Sequence, residues 1–192
     1  MSAVAGVEGH ALKELWRRRW PACPPIGYEL RSAYPDVWVR FHSLPESKRY
    51  ADDDDEYTVI LERYDTVLDE LFAGMDVYVV EAVADATPEV PRFRPDANHW
   101  MTVLVDDDPD PEFRTYFHLY WRRLPWEWGV IDDLLLAVAD DKVPSVFITD
   151  TRMRRVHHPY DGGADVLLAT PVERELLRGR YRDWLSGHPS GQ

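Results

Sequence analysis

The chain has 192 residues, 45% of them hydrophobic, with eight Trp, ten Tyr and a formal charge of −13 from 22 basic and 35 acidic residues. That length suits one domain able to bury roughly 70% of the surface its unfolded form exposes, and the single cysteine, Cys23, excludes an internal disulfide. No run approaches ~18 uninterrupted apolar residues, which argues against a membrane helix, and so negative a surface repels phosphate backbones, which argues against nucleic acid.

Met1 to Gly9 lacks the basic and long apolar regions of a signal peptide, so the cytoplasm is the expected compartment. Lysine occurs only at Lys13, Lys48 and Lys142, and asparagine only at Asn98, a bias that fits a GC-rich bacterial genome.

Helical spacing of Leu12, Leu15, Trp16 and Arg19 predicts a helix over His10–Trp20, ended by Pro21. Pro21 to Pro25 form a stiff connector, and two short strands are expected at Tyr28–Ser32 and Val37–Ser43. The clearest element is a helix from Asp53 to Phe72, with Tyr57, Ile60, Leu61, Tyr64, Leu68, Leu71 and Phe72 in one stripe. Its acidic start can cap free amides and complement the helix dipole, and Gly74 stops it.

Asp76–Val83 reads as a buried strand, Asp85–Asp96 as a proline-rich loop, and Trp100–Val105 with Arg114–Trp121 as a hairpin. A helix is expected at Gly129–Asp140, a core strand at Ser145–Thr149 and its partner at Arg154–His157. Asp161, Gly162 and Gly163 make a turn before a strand at Asp165–Leu168. Thr170-Pro171-Val172-Glu173 is a capping box opening a last helix with Val172, Leu176, Leu177, Tyr181, Trp184 and Leu185 on its apolar face. The expectation is a single α+β domain over residues 1–192. It has a mostly antiparallel or mixed sheet of about five to seven strands, helices packed on one face, and loose ends at 1–9 and 187–192.

The usual catalytic signatures, from phosphate-binding glycine loops to H-E-x-x-H and paired C-x-x-C, are absent. The richest cluster is His157-His158-Pro159-Tyr160-Asp161-Gly162-Gly163-Ala164-Asp165, readable as a shaped turn, a binding surface or an acid–base site. Neighbouring histidines on a strand point to opposite faces, so His157 and His158 would not share an ion. Asp52, Asp53, Asp54 and Asp55 read as a capped helix start or a docking patch for a basic partner, and they lack the spacing of a calcium loop. Among the clustered aromatics, Trp126 and Trp128 are candidate contact residues as well as core candidates. Cys23 reads as a partly buried thiol rather than a nucleophile.

The stretch Leu44-Pro45-Glu46-Ser47-Lys48-Arg49-Tyr50, the helix segments Leu61-Glu62-Arg63 and Thr66–Phe72, and the ends His158–Asp165 and Trp184-Leu185 resemble a bacterial family known only as a domain of unknown function. The resemblance spans about Leu44 to Leu185 and implies no activity, cofactor or catalytic residue. Small acidic domains of this kind raise the expectation of an immunity or partner-binding role.

The leading expectation is therefore a non-enzymatic acidic domain that binds a basic protein, with His158, Tyr160, Asp161, Asp52–Asp55, Trp126 and Trp128 as contact candidates. No cofactor, metal ligand or catalytic residue is assigned. The alternatives are a small hydrolase or metal-dependent enzyme built on His157, His158, Asp161 and Asp165, and a structural subunit of an assembly.

Overall fold

Helix formation is most clearly dictated around Asp53. Its carboxylate accepts the backbone N–H of Glu56 at 3.0 Å, and Glu56 reaches back to the N–H of Asp52 at 2.7 Å. In the computed structural model, which describes residues 2–91 and 97–185 with side chains from residue 8 on, this cap opens a helix over Asp54–Phe72. In chain order the elements are α1 (Ser2–Arg19), α2 (Gly27–Ala33), β1 (Trp38–His42), α3 (Asp54–Phe72), β2 (Asp76–Asp85), β3 (Asn98–Asp106) and β4 (Thr115–Pro125). There follow α4 (Asp132–Ala139), β5 (Val146–Asp150), β6 (Val156–Tyr160), β7 (Gly163–Leu167) and α5 (Pro171–Arg180).

Among the described residues the seven strands form one sheet in the order β1-β7-β6-β5-β2-β4-β3, with every neighbouring pair antiparallel. The class is α+β, as the run of consecutive strands predicts. Alternation along β2 sends Val77 and Val79 to one face, Tyr78 and Val80 to the other, and each face has its own core. On the first face α3 lays down Ile60, Tyr64, Leu68, Leu71 and Phe72, joined by Leu135 and Val138 of α4. On the second, Leu12 and Trp16 of α1, Trp20, and Leu30 of α2 cover Phe147, Leu119 and Trp121. Trp16 lies edge-on to Trp100 at 6.0 Å, and the Trp20 indole donates to the Met153 carbonyl at 2.9 Å.

Several expectations are corrected. The first predicted strand is α2: a seven-residue element shows too little periodicity to separate the two readings, and burial of Leu30 beside Ile26 settles it as a helix. Packing on one face holds for α3, α4 and α5, whereas α1 and α2 lie on the other. Residues 2–9 belong to α1 rather than to a loose end, and residues 187–192 lie outside the described residues, as does 92–96 of the proline-rich loop. In α5 only Leu177 of the expected apolar face is buried within the helix; Val172 and Leu176 are 69% and 67% exposed.

One polar pair interrupts the α3–α4 contact. Asp65 is 1% exposed beside Asp132 in the first turn of α4, and Oδ1 of each has no partner among the described residues. Burial first, and then the negative charge of Asp132, push the Asp65 carboxyl up to about 7.

Candidate functional site

A cavity of about 210 Å³ opens at the β1 end of the sheet, under α2 and the connection from α4 to β5. Its floor is a row of polar side chains crossing three strands. Register places Arg40 of β1 opposite Asp165 of β7, and Asp165 opposite His158 of β6, so all three point to the same face. Arg40 grips Asp165 in two bonds, Nε to Oδ1 at 2.8 Å and Nη2 to Oδ2 at 3.0 Å. Its guanidinium also lies 5.0 Å from the Tyr160 ring centroid and 5.5 Å from that of Trp38. Burial opposes the charge, but the Asp165 carboxylate outweighs it and holds the Arg40 pKa above its ordinary value.

The His158 Nδ1 lies 2.6 Å from the Val146 carbonyl, which can only accept, so Nδ1 carries the proton and Nε2 is left as an acceptor. Burial dominates the lowering of its pKa, which keeps the ring neutral at pH 7. The imidazole is seated against Gly27, where a Cβ would fall 2.3 Å from Nδ1; only glycine lets α2 approach this closely. Burial also raises the Tyr160 pKa, so its phenol keeps its proton.

The β6–β7 connection is a two-residue hairpin turn of Asp161 and Gly162, the glycine at φ +102°. Asp161 accepts from Arg49 Nε and, at 2.8 Å, from the Tyr50 hydroxyl. Two residues earlier, Lys48 bonds Asp52 at 2.7 Å and also reaches Glu56. The segment 48–50 thus ties the acidic start of α3 to the turn that rims the cavity. Tyr57, on the first turn of α3, donates to Asp140 at the end of α4, next to the exposed rim residue Asp141. Asp52, Asp53, Asp54 and Asp55 are all exposed on this continuous face.

The structure therefore brings His158, Tyr160, Asp161 and Asp165 of the expected site together at the cavity, and ties Asp52 of the acidic run Asp52–Asp55 to its rim through segment 48–50. It separates His157, which points into the α3 core, 5.9 Å from the Tyr64 ring and at 86° to it, with neither ring nitrogen bonded among the described residues. A site using both histidines is thereby corrected. Trp126 is buried, its indole donating to Asp69 at 3.2 Å, roughly 24 Å by helical rise from the Asp53 cap; Trp128 is 56% exposed. Neither belongs to the cavity. Burial above all, then Glu29, raises the Cys23 thiol to about 11, which leaves it protonated. Among the described residues no three His, Cys, Asp or Glu side chains gather into a group that could hold a metal ion.

Sequence reading missed Arg40, Arg31 and Tyr28, which line the cavity. The alternation in β1 placed Arg40 opposite the core-facing Val39 and Phe41, but its partner Asp165 is 125 residues away.

Fold and site define an antiparallel α+β domain with a small polar cavity at one sheet edge and an acidic face beside it. No helix among the described residues is long and apolar enough to cross a membrane. The chain belongs to the family described as Domain of unknown function (DUF3885), whose model matches residues 26–189. That span contains every residue of the cavity and begins just before α2, leaving α1 outside. No curated protein and no solved structure matches the chain.

Proposed function

We propose that this domain is a non-catalytic binding protein for a basic protein partner, docked on the acidic face that joins α3 to the β6–β7 turn. The observation that carries the reading is the chain of bonds that joins the acidic start of α3 to its neighbours: Lys48, Arg49 and Tyr50 tie Asp52 to Asp161, and Tyr57 ties α3 to Asp140, next to Asp141. Clustered carboxylates attract cationic partners and speed their arrival, most strongly at low salt. Tyr50, bonded to Asp161, and Tyr28 of the cavity lining, 48% and 38% exposed, offer aromatic contact area. In its narrower form the reading is an immunity-type protein, produced in the cytoplasm, that covers the active site of a basic toxin.

The test compares the wild-type chain with Asp54→Lys/Asp55→Lys, which spares the Asp53 cap and the Asp52–Lys48 bond. Tagged protein captures partners from a lysate of its source organism, and the association rate of any basic protein retained is measured against salt. Slower association and a flatter salt dependence for the variant are expected. Identical kinetics would remove the acidic face from the reading.

A small hydrolase is the second reading, and the neutral imidazole of His158 beside Asp165 and the cavity favours it. Such an enzyme would use His158, Asp161 and Asp165 without His157. The exposed Val172 and Leu176 of α5 favour the third, a subunit of an assembly.

A further inference from the structure

We propose that the cavity at the β1 edge binds a small amino-acid-like zwitterion, a molecule carrying one carboxylate and one ammonium close together. This goes beyond the protein-partner reading and does not depend on it.

The floor is built in a way that stability alone does not require. An Arg–carboxylate pair as enclosed as Arg40–Asp165 (side chains 11% and 1% exposed) contributes little net stability, and apolar residues of similar size serve as well or better. Here the pair fixes the guanidinium, whose Nε and Nη2 are committed to Asp165 and whose faces lie near two aromatic rings. Nη1 makes no hydrogen bond among the described residues. A guanidinium held this way is already ordered for a further oxygen ligand, so little side-chain entropy is lost on binding.

Charge on the lining selects the ligand class. Arg40 is balanced by Asp165, and Asp161 by Arg49. What remains among the described residues is one cation, Arg31, and one anion, Asp141, neither in an ion pair. Arg31, Arg40 Nη1 and the Tyr28 and Tyr160 phenols supply donors suited to a carboxylate. Asp141, Asp161 and the His158 Nε2 supply acceptors suited to an ammonium. A simple anion would enter against Asp141 and the field of a chain carrying −13. A simple cation would meet Arg31 and Arg40. A zwitterion meets neither penalty. The volume, about 210 Å³, lies below the roughly 300–1,000 Å³ of drug-sized sites and fits a free amino acid.

The experiment titrates the intact chain by calorimetry and thermal shift with the twenty free L-amino acids, alongside propionate and ethylamine as halves of alanine. At least one amino acid is expected to bind saturably at about 1 mM or tighter, with both halves far weaker. Arg31→Gln and Asp141→Asn, at the cavity rim, should each weaken that binding about tenfold while leaving the ligand-free melting temperature unchanged. Binding of propionate or ethylamine as tight as that of the amino acid overturns the zwitterion assignment. So does the absence of any binding across the panel, or binding that both variants retain in full.

Discussion

Asp65 is the residue whose chemistry is most at odds with its surroundings. Two carboxylates meet where α3 crosses α4, and burial together with Asp132 raises the Asp65 pKa far above its unfolded value. A raised carboxyl pKa supplies stability below the unfolded value of about 4, and that contribution is lost as pH rises through about 7. Asp65→Asn keeps the shape and removes the repulsion. At pH 8 it should raise unfolding stability in urea by on the order of 1–2 kcal/mol, and near pH 4 by almost nothing. A variant less stable than wild type at pH 8 would show that the carboxylate makes contacts worth more than the repulsion costs. By contrast His157, buried without a hydrogen bond among the described residues, is tolerated as a flat neutral ring against Tyr64.

At the scale of elements, packing decides which helices are secure. Seven residues of α3 are buried, whereas α5 buries Leu177 alone and is otherwise held through its surface: Arg155 bonds Glu173 at 2.9 Å, Arg174 donates to the Trp38 carbonyl at 2.9 Å, and Arg180 pairs with Glu70. Of these the exposed Arg180–Glu70 pair contributes little, typically about 0–1 kcal/mol, and the partly buried Arg155–Glu173 pair and Arg174 bond only modestly more. Hydrogen exchange should therefore release the α5 amides well before those of α3, by local opening rather than global unfolding; equal protection would show α5 opening only with the whole molecule. The same contrast explains what could be read beforehand. Long elements with a sustained period, α3 above all, were legible, as was the opposite facing of His157 and His158. A two-turn helix such as α2 carries too few positions to display a period, and the capping box of α5 marks where a helix starts without saying what its apolar face will meet. The Arg40–Asp165–His158 row was illegible for another reason: each residue is ordinary in its own strand, and only the register of three strands makes them neighbours.

Taken whole, the molecule is two cores on one sheet, with His157 buried against the α3 core and His158 buried at the cavity floor. Burial lowers His157 to about 3 and also depresses His158, while an unfolded histidine sits near 6.5. The unfolded chain therefore takes up more protons, so this contribution is present above about pH 6.5 and lost as pH falls towards 3. Asp65 slopes the opposite way over part of that range, so the informative quantity is a difference between two proteins. The stability of His157→Leu relative to wild type should rise steadily as pH falls from 7 to 4.5 in urea titrations; a constant difference would exclude His157 as a source of acid sensitivity. The topology has a consequence in time as well as in space. β1 is among the earlier elements to be made, yet it pairs with β7, and Arg40 must wait for Asp165, 125 residues later. At roughly 5–20 residues per second, that is an interval on the order of ten seconds in which the emerging chain holds an arginine with no carboxylate and a cavity with no floor. Ligand capture is thus withheld from every incomplete copy that stops short of β7, and an interrupted product cannot compete with finished molecules for whatever the cavity takes.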